Sequence, residues 1–236
     1  MPDTSVLAQL SALPGVHTAS GVAETAQDAR IAGGVLPVAS ELASVLPWGG
    51  LRRGSTLAVH GSTSLLLALL AEATSAGSWA AVVGMPDLGI VAASELGVRV
   101  ERLALVPRPG DRFADVVAAL LDGMDLVAVA SPGARCASRA RHRLSARARH
   151  RRAVLLSLGE WPGADVTLRY TSGRWSGVEN GAGYLRARDA AVRVDGRGAA
   201  ARPVCAGLRL PGVGGAVTPA EEEESVAMLG EVREVG

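Results

Sequence analysis

Short apolar runs alternate with longer amphipathic segments along the middle of the chain. Runs of four or five mainly apolar residues, separated by glycine and proline, are typical of strands buried on both faces of a sheet. The runs are Thr56–Val59, Ala80–Val83, Arg102–Val106, Leu126–Ala130 and Val154–Leu158. The helix-length segments between them are Ser62–Ser75, Leu88–Leu96, Arg112–Leu121 and Ala134–Arg151. This alternation predicts an α/β fold with a doubly wound, mainly parallel sheet.

The pattern changes after Gly159, where apolar and polar residues begin to alternate as in half-buried strands. We expect these strands to extend the sheet in an antiparallel manner, with hairpin turns at Ser172-Gly173 and Asp195-Gly196. The strands are Asp165–Tyr170, Gly183–Arg188, Ala191–Val194 and Ala206–Leu210.

The two ends of the chain differ from this core. Residues 1–34 are small and polar and predict an N-terminal helical arm, residues 35–211 form the core, and residues 212–236 are expected to be a flexible acidic tail. From Pro219 onward the tail has six glutamates against Arg233, although the whole chain has a net charge of only +1. An acidic tail on a basic body indicates a segment that shields a basic surface or engages a partner.

Composition indicates a soluble cytoplasmic protein. The two cysteines, Cys136 and Cys205, do not suggest a disulfide framework, and we expect reduced thiols. The first residues lack the basic and apolar regions of a secretory leader. The longest strongly apolar stretch, Leu65–Ala71, is too short to cross a bilayer.

The chain contains no lysine, and all 24 of its basic residues are arginine. A phosphate-binding loop of the type G-x-x-x-x-G-K-[ST] needs a lysine that reaches the β- and γ-phosphates, and arginine does not reproduce that compact charge. At the corresponding place this chain has only Gly61, Ser62, Thr63 and Ser64 before an apolar helix. We expect this degenerate phosphate loop to be a direct turn in which Ser62 or Thr63 caps the helix. Weak anion binding at the helix end is the alternative.

Other catalytic features are also missing from the sequence. An ATPase of this class ends a central strand with an aspartate that orients Mg²⁺, but the strand Leu126–Ala130 ends in alanine. The histidines are scattered, and none lies at metal-ligand spacing with a cysteine. We therefore expect a pseudo-ATPase with no catalytic residue, no metal and no cofactor.

One predicted helix is rich in arginine. Between Asp125 and Glu160 there is no carboxylate. A narrow apolar stripe is expected to dock on the sheet, made of Ala137, Ala140, Leu144 and Ala148. We interpret the rest of this helix as a candidate surface for nucleic acid or an acidic partner, and a solvated face is the alternative. The arginines are Arg135, Arg139, Arg141, Arg143, Arg147, Arg149, Arg151 and Arg152.

The acidic tail contains a second candidate binding segment. Its apolar residues are Val226, Met228, Leu229 and Val232. Three of them lie three positions apart, so a short amphipathic helix could form on a partner. A tail that only improves solubility is the alternative.

The order of motifs resembles that of the ATP-binding core of RecA. Gly49–Gly61 is similar to the Gly-Gly-Leu turn and short strand that lead into the RecA phosphate loop. Leu65–Gly77 resembles the helix after that loop, Glu95–Val98 the signature before the third strand, and Asp125–Ala130 the Walker B strand. The resemblance covers roughly residues 35–210 and implies a RecA-like fold with degenerate Walker motifs.

Several short sequence motifs resemble, more closely than they resemble RecA itself, those of the actinobacterial RecA-like, ImuA-type accessory proteins of mutagenic translesion synthesis. They are Gly61–Leu67, Gly84–Gly89, Trp161–Asp165 and Thr171–Trp175. This resemblance implies a non-catalytic adaptor in the SOS response to DNA damage, associated with the nucleoid during repair. It implies two partners, an inactive ImuB-type homologue of Y-family polymerases and a C-family mutagenic polymerase.

Two other functions remain open from the sequence, a SulA-like cell-division inhibitor and a weakly DNA-binding RecA-like regulator. An active recombinase is disfavoured by the missing lysine. Direct contact with DNA and self-association also stay open.

Overall fold

The structure is a computed structural model that describes residues 34–132, 136–179 and 182–220. The N-terminal arm predicted for residues 1–34, apart from Gly34, lies outside the described residues. So do Arg135 and the tail from residue 221 onward, which includes the predicted partner-binding residues Val226, Met228, Leu229 and Val232.

Strands and helices alternate through the described part of the chain. The strands are β1 (Val35–Leu36), β2 (Leu51–Arg52), β3 (Thr56–His60), β4 (Ala80–Val83), β5 (Leu103–Val106), β6 (Leu126–Ala130), β7 (Val154–Leu158), β8 (Val166–Glu179), β9 (Ala182–Gly196), β10 (Val204–Arg209) and β11 (Thr218–Pro219). The α-helices are α1 (Ser40–Ala43), α2 (Thr63–Ser75), α3 (Ile90–Glu95), α4 (Phe113–Gly123) and α5 (Ser138–Arg151).

A nine-stranded sheet forms the centre of the molecule, in the order β11-β10-β9-β8-β3-β7-β6-β4-β5. The six strands from β8 to β5 in this order pair in parallel, and β9, β10 and β11 extend the sheet in an antiparallel manner. Strands β1 and β2 form a separate antiparallel pair. The prediction of a mixed α/β fold with a mainly parallel sheet and antiparallel C-terminal strands is confirmed at this level.

Two apolar cores lie on opposite faces of the sheet because successive strand residues point to opposite sides. In β6, Leu126 and Ala128 contribute to the larger core, which is covered by α1, α2 and α3. Val127 and Val129 contribute to the smaller core, which is covered by α4 and α5. Helix α2 has buried residues around its whole circumference, as expected of a helix enclosed by its neighbours.

Of the two hairpin turns predicted from the sequence, the one at Ser172-Gly173 is wrong, and the one at Asp195-Gly196 begins a β9–β10 hairpin whose connection is longer than a tight turn. Strand β8 continues through Ser172-Gly173, and neither residue has a positive φ. A two-residue turn of type I′ requires positive φ at both central positions. Asp195 and Gly196 also lack it, and they end β9, after which the chain reaches β10 through a 3-10 turn at Gly198–Ala200.

The strands β8 and β9 are long because the register shifts without ending the pairing. Shifts occur between Ser172 and Trp175 and between Ser176 and Val178. Gly177 lies at the second shift with φ of 104°, where a Cβ would collide with the carbonyl oxygen of Tyr184. The first part of β8 pairs in parallel with β3, which corrects the expectation that Asp165–Tyr170 pairs only with antiparallel neighbours.

The predicted and observed ends of several helices and strands differ by a few residues. Helix α5 begins at Ser138, later than the predicted Ala134, and α3 covers only Ile90–Glu95 of the predicted Leu88–Leu96. Strand β11 pairs with β10 inside the range predicted as a tail. None of the helices in the described part of the chain has the length and apolar character needed to cross a lipid bilayer.

Candidate functional site

The junction between β3 and α2 is the position at which the sequence predicted a degenerate phosphate loop. Gly61 has φ of 86°, a conformation that glycine adopts at little cost. Ser62 is buried, and its Oγ accepts a hydrogen bond of 3.1 Å from the backbone N–H of Leu65. Thr63 is exposed and begins the helix. The prediction of a direct turn with an ordinary N-cap is confirmed, with Ser62 as the capping residue.

Strand β8 covers this junction from the side. A Cβ placed on Gly61 would lie 2.7 Å from the carbonyl oxygen of Tyr170. Because backbone atoms cannot yield as a flexible side chain can, the turn has no room for even a methyl group there. The tight turn therefore depends on glycine at position 61.

The aspartate of β6 lies at the opposite end of the strand from a Walker B aspartate. Asp125 precedes β6 and is fully buried, whereas Ala130 ends the strand. Its carboxylate accepts hydrogen bonds of 2.8 Å from the Arg53 guanidinium and 2.9 Å from the backbone N–H of Trp79. Asp125 thus joins β6 to the segments before β3 and β4, a structural role.

A cleft of about 850 Å³ lies at the carboxyl ends of β4, β5 and β6. The helix that follows β4 packs on one face of the sheet, and those that follow β5 and β6 pack on the other. Ligands of α/β proteins bind where the chain leaves a sheet in opposite directions. Of the described residues that line the cleft, only Arg108 and Asp111 are titratable.

Within the described residues, no group of three or more histidine, cysteine, aspartate or glutamate side chains is arranged to hold a metal ion. Cys136 and Cys205 are free thiols. Cys136 is buried in the smaller core, and this burial raises the pKa of its thiol. It is a packing residue.

Several arginines of helix α5 have carboxylate partners that its own sequence did not indicate. Asp122 of α4 accepts hydrogen bonds of 2.8 Å from Arg147 and 2.9 Å from Arg151. The hydrogen bond from Arg147 holds the pKa of Asp122 below its usual value, and Asp122 raises the pKa of Arg147. The carboxylate of Asp165 lies 3.8 Å from Arg149. Carboxylates from outside α5 therefore offset part of its positive charge.

The remaining predicted arginines fall into two groups. Arg141 is half-buried, whereas Arg139, Arg143 and Arg152 are exposed, with no carboxylate in ion-pair contact among the described residues. Arg152 ends α5 in the left-handed conformation, with φ of 56°. The free charge of this face is thus limited to a few side chains.

The predicted apolar stripe of α5 is confirmed in part. Leu144 and Ala148 are buried and Ala140 is half-buried, whereas Ala137, which precedes the helix, is exposed. Ser145 is also buried, and its Oγ accepts a hydrogen bond of 2.8 Å from Nε1 of Trp161. No sequence signal predicts this bond because the two residues belong to different elements.

A second arginine cluster lies at the amino end of β3. Arg52, Arg149 and Arg197 line a pocket of about 270 Å³ together with Asp165. Asp165 accepts a hydrogen bond of 2.9 Å from the backbone N–H of Thr56 and lies 3.7 Å from Arg197. Sequence reasoning missed this cluster because its members come from separate segments of the chain.

Comparison with known proteins concerns mainly the parallel half of the molecule. The family model described as the MT3502 N-terminal domain matches residues 44–163, about half of the chain, and ends before β8. The uncharacterized protein Rv3395c of Mycobacterium tuberculosis is 45% identical over 117 residues, which are 49% of this chain and 57% of that protein. This chain therefore spans little more than half the length of that relative. The match over residues 44–163 shows that the chain belongs to the MT3502 N-terminal domain family.

Proposed function

We propose that this protein is a non-catalytic RecA-like adaptor of the ImuA type in DNA-damage-induced, error-prone translesion synthesis. In this proposal it acts in the cytoplasm at the nucleoid. It binds an inactive ImuB-type homologue of Y-family polymerases and supports a C-family mutagenic polymerase. The observation that carries the proposal is the β3–α2 junction, where a capped turn under β8 stands in place of a phosphate-binding loop.

The surroundings of that junction support a RecA-like ancestry. The Gly-Gly-Leu turn at residues 49–51 precedes β3, and Leu51 is fully buried. β3 lies inside the parallel sheet, between β7 and β8, and α2 follows it directly. These are the places that the Gly-Gly-Leu turn, the loop strand and the loop helix occupy in the motif order of RecA.

The chemistry available at the carboxyl edge supports a role without ATP turnover. Nucleotide hydrolysis needs a cation on the β- and γ-phosphates and a carboxylate for Mg²⁺. This chain has no lysine in its sequence, and Ala130 ends β6. A protein that keeps the fold and has lost these groups is suited to binding other proteins.

Capture of the tagged protein from cells before and after DNA damage tests the proposal. We expect the Y-family homologue and the C-family polymerase to be recovered after damage. A matched chain that ends at Ala220 keeps β11 and removes only the acidic segment. Loss of both partners from that chain would place the contact in the tail with Val226, Met228, Leu229 and Val232.

Other outcomes of the same capture would overturn the proposal. Recovery of a tubulin-like division protein in place of the polymerases would favour the SulA-like alternative. Recovery of neither class would reject the adaptor function, even if the purified protein bound DNA.

A further inference from the structure

Part of the β8–β9 hairpin stands free of the rest of the sheet. β8 pairs with β3 only as far as Arg169, and β9 pairs with β10 only from Asp189 onward. Residues 173–178 and 183–188 are called the ribbon below. Among the described residues they have strand partners only in each other, except for backbone hydrogen bonds of Arg188 with Leu210 and Pro211. Because β8 runs parallel to β3, the ribbon extends beyond the carboxyl edge of the parallel strands, next to the β3–α2 junction.

The ribbon exposes large side chains that a monomeric protein normally buries. Tyr184 is 80% exposed, Leu185 59%, Val178 47% and Trp175 41%. A two-stranded hairpin is only marginally stable in water, and a concentration of exposed apolar side chains marks a binding surface. The ribbon therefore has the features of a surface that is covered by a partner.

Aromatic rings and cations lie close together along the ribbon. Trp175 pairs directly with Arg188 across the strands. The Arg188 guanidinium lies 5.5 Å from the centre of the Trp175 ring and 5.0 Å from that of the Tyr170 ring. Tyr184 and Arg186 follow in the stretch of β9 opposite Gly177, at the second register shift, and both are exposed.

We propose that the ribbon binds single-stranded nucleic acid. Trp175 and Tyr184 stack on successive bases, while Arg186 and Arg188 contact the phosphates. Binding without sequence preference combines such aromatic platforms with a positively charged track. In residues 173–188 the sequence has three arginines and a single carboxylate, Glu179. The charge and the rings lie together, which matches a polyanion with stacked bases better than a purely apolar protein surface.

Fluorescence anisotropy with the purified full-length chain and a dye-labelled oligothymidylate tests this inference. We expect saturable binding that Tyr184→Ala weakens about 5- to 100-fold, because one base loses its stacking partner. Tyr184→Trp should retain the affinity because it keeps a stacking ring. Because Tyr184 is highly exposed, we expect both substitutions to leave the fold intact. Far-ultraviolet circular dichroism of each variant checks this.

Charge reversal distinguishes the ribbon from the rest of the surface. Arg186→Glu should weaken binding and reduce the slope of log K against log salt by roughly 0.7 for each phosphate that the variant no longer neutralises. The matched control Arg202→Glu reverses an exposed arginine between β9 and β10, outside the ribbon and α5, and should change the affinity less than twofold. Equal losses of affinity in the two variants would show that binding is a diffuse effect of net charge and would overturn the proposal.

Two further results would also overturn it. One is an absence of oligothymidylate binding. The other is a self-association that Tyr184→Ala abolishes while oligothymidylate affinity is unchanged, which would make the ribbon a protein interface. Because these measurements use the purified chain and an oligonucleotide, their failure leaves the adaptor proposal untouched, and failure of the partner capture leaves the ribbon proposal untouched.

Discussion

The parallel half of the molecule and the ribbon both contain arginines, but their surroundings differ. In the parallel half, Arg53 is buried against Asp125, and Arg147 and Arg151 bind Asp122. In the ribbon, Arg188 lies over the rings of Tyr170 and Trp175, and Tyr184 is 80% exposed.

This difference separates structural arginines from candidate binding arginines. A guanidinium that already has a carboxylate has less to offer a phosphate, because binding would require it to exchange one anion for another. A guanidinium beside exposed rings retains charge and apolar surface for a ligand. The number of arginines on an element is therefore a weaker guide than the partners that each of them has.

Removal of Asp125 should have the largest effect on stability in the parallel half. Asp125→Ala leaves the buried Arg53 without its carboxylate and the Trp79 N–H without its acceptor. We expect a loss of about 3–5 kcal/mol in the free energy of unfolding, measured by denaturant titration. Asp111→Ala, at an exposed aspartate, is the control and should be nearly neutral. A loss below about 1 kcal/mol would contradict the structural role of this pair.

Removal of the N-cap of α2 should have an intermediate effect on the free energy of unfolding. Ser62→Ala deletes the acceptor of the Leu65 N–H and should cost about 1 kcal/mol. Ser62→Asp, which can accept the same bond, should retain most of the stability. Thr63→Ala is the matched control, since Thr63 is exposed and begins the helix. If Thr63→Ala destabilised the protein as much as Ser62→Ala, the assignment of the cap would be wrong.

The hydrogen bonds of Asp122 with Arg147 and Arg151 should make a smaller, pH-dependent contribution to stability. Its pKa in the folded protein is depressed below the usual value of 3.8, chiefly by the hydrogen bond from Arg147. The ionised carboxylate therefore stabilises the fold at pH values above 3.8, and this stabilisation is lost as the pH falls through the depressed pKa. The pair is partly exposed and screened, so we expect less than about 1 kcal/mol.

Comparison of the wild type with Asp122→Asn measures that contribution. The free energy of unfolding should differ between the two at neutral pH, and the difference should vanish in strong acid. A difference that is equally large at both pH values would show that Asp122 acts through packing and not through its charge.

The ribbon should show the smallest effect on stability. Tyr184→Ala removes an exposed side chain and should change the free energy of unfolding by no more than about 0.5 kcal/mol. Thermal unfolding monitored by circular dichroism checks this. A loss of unfolding free energy as large as that expected for Asp125→Ala would show that Tyr184 contributes to the folded core. The contrast between the ribbon and the parallel half would then not hold.

The parallel half could be predicted well from the sequence because its signals are local. Apolar runs bounded by glycine and proline predicted β4, β6 and β7 with their observed ends, and the short segment after Gly61 predicted the capped turn. Each of these features depends on residues within a few positions of each other. The polar residues before an apolar helix predicted an N-cap at Ser62 or Thr63, and the structure assigns it to Ser62.

Other features depend on contacts between distant segments. Asp122 and Arg147 are 25 residues apart, and no local pattern relates them. The ribbon was missed because Ser172-Gly173 has the composition of a turn, whereas register shifts and the positive φ of Gly177 let β8 continue. Pairing with β9 decided the conformation there, as tertiary context does for many strands.

The most direct test of the adaptor proposal is size-exclusion chromatography of the purified chain with the proposed ImuB-type partner, with and without Mg²⁺ and ATP. The account predicts a stable complex whose elution does not depend on nucleotide, because the β3–α2 junction is a capped turn. A complex that forms only with ATP, or no complex under either condition, would contradict it.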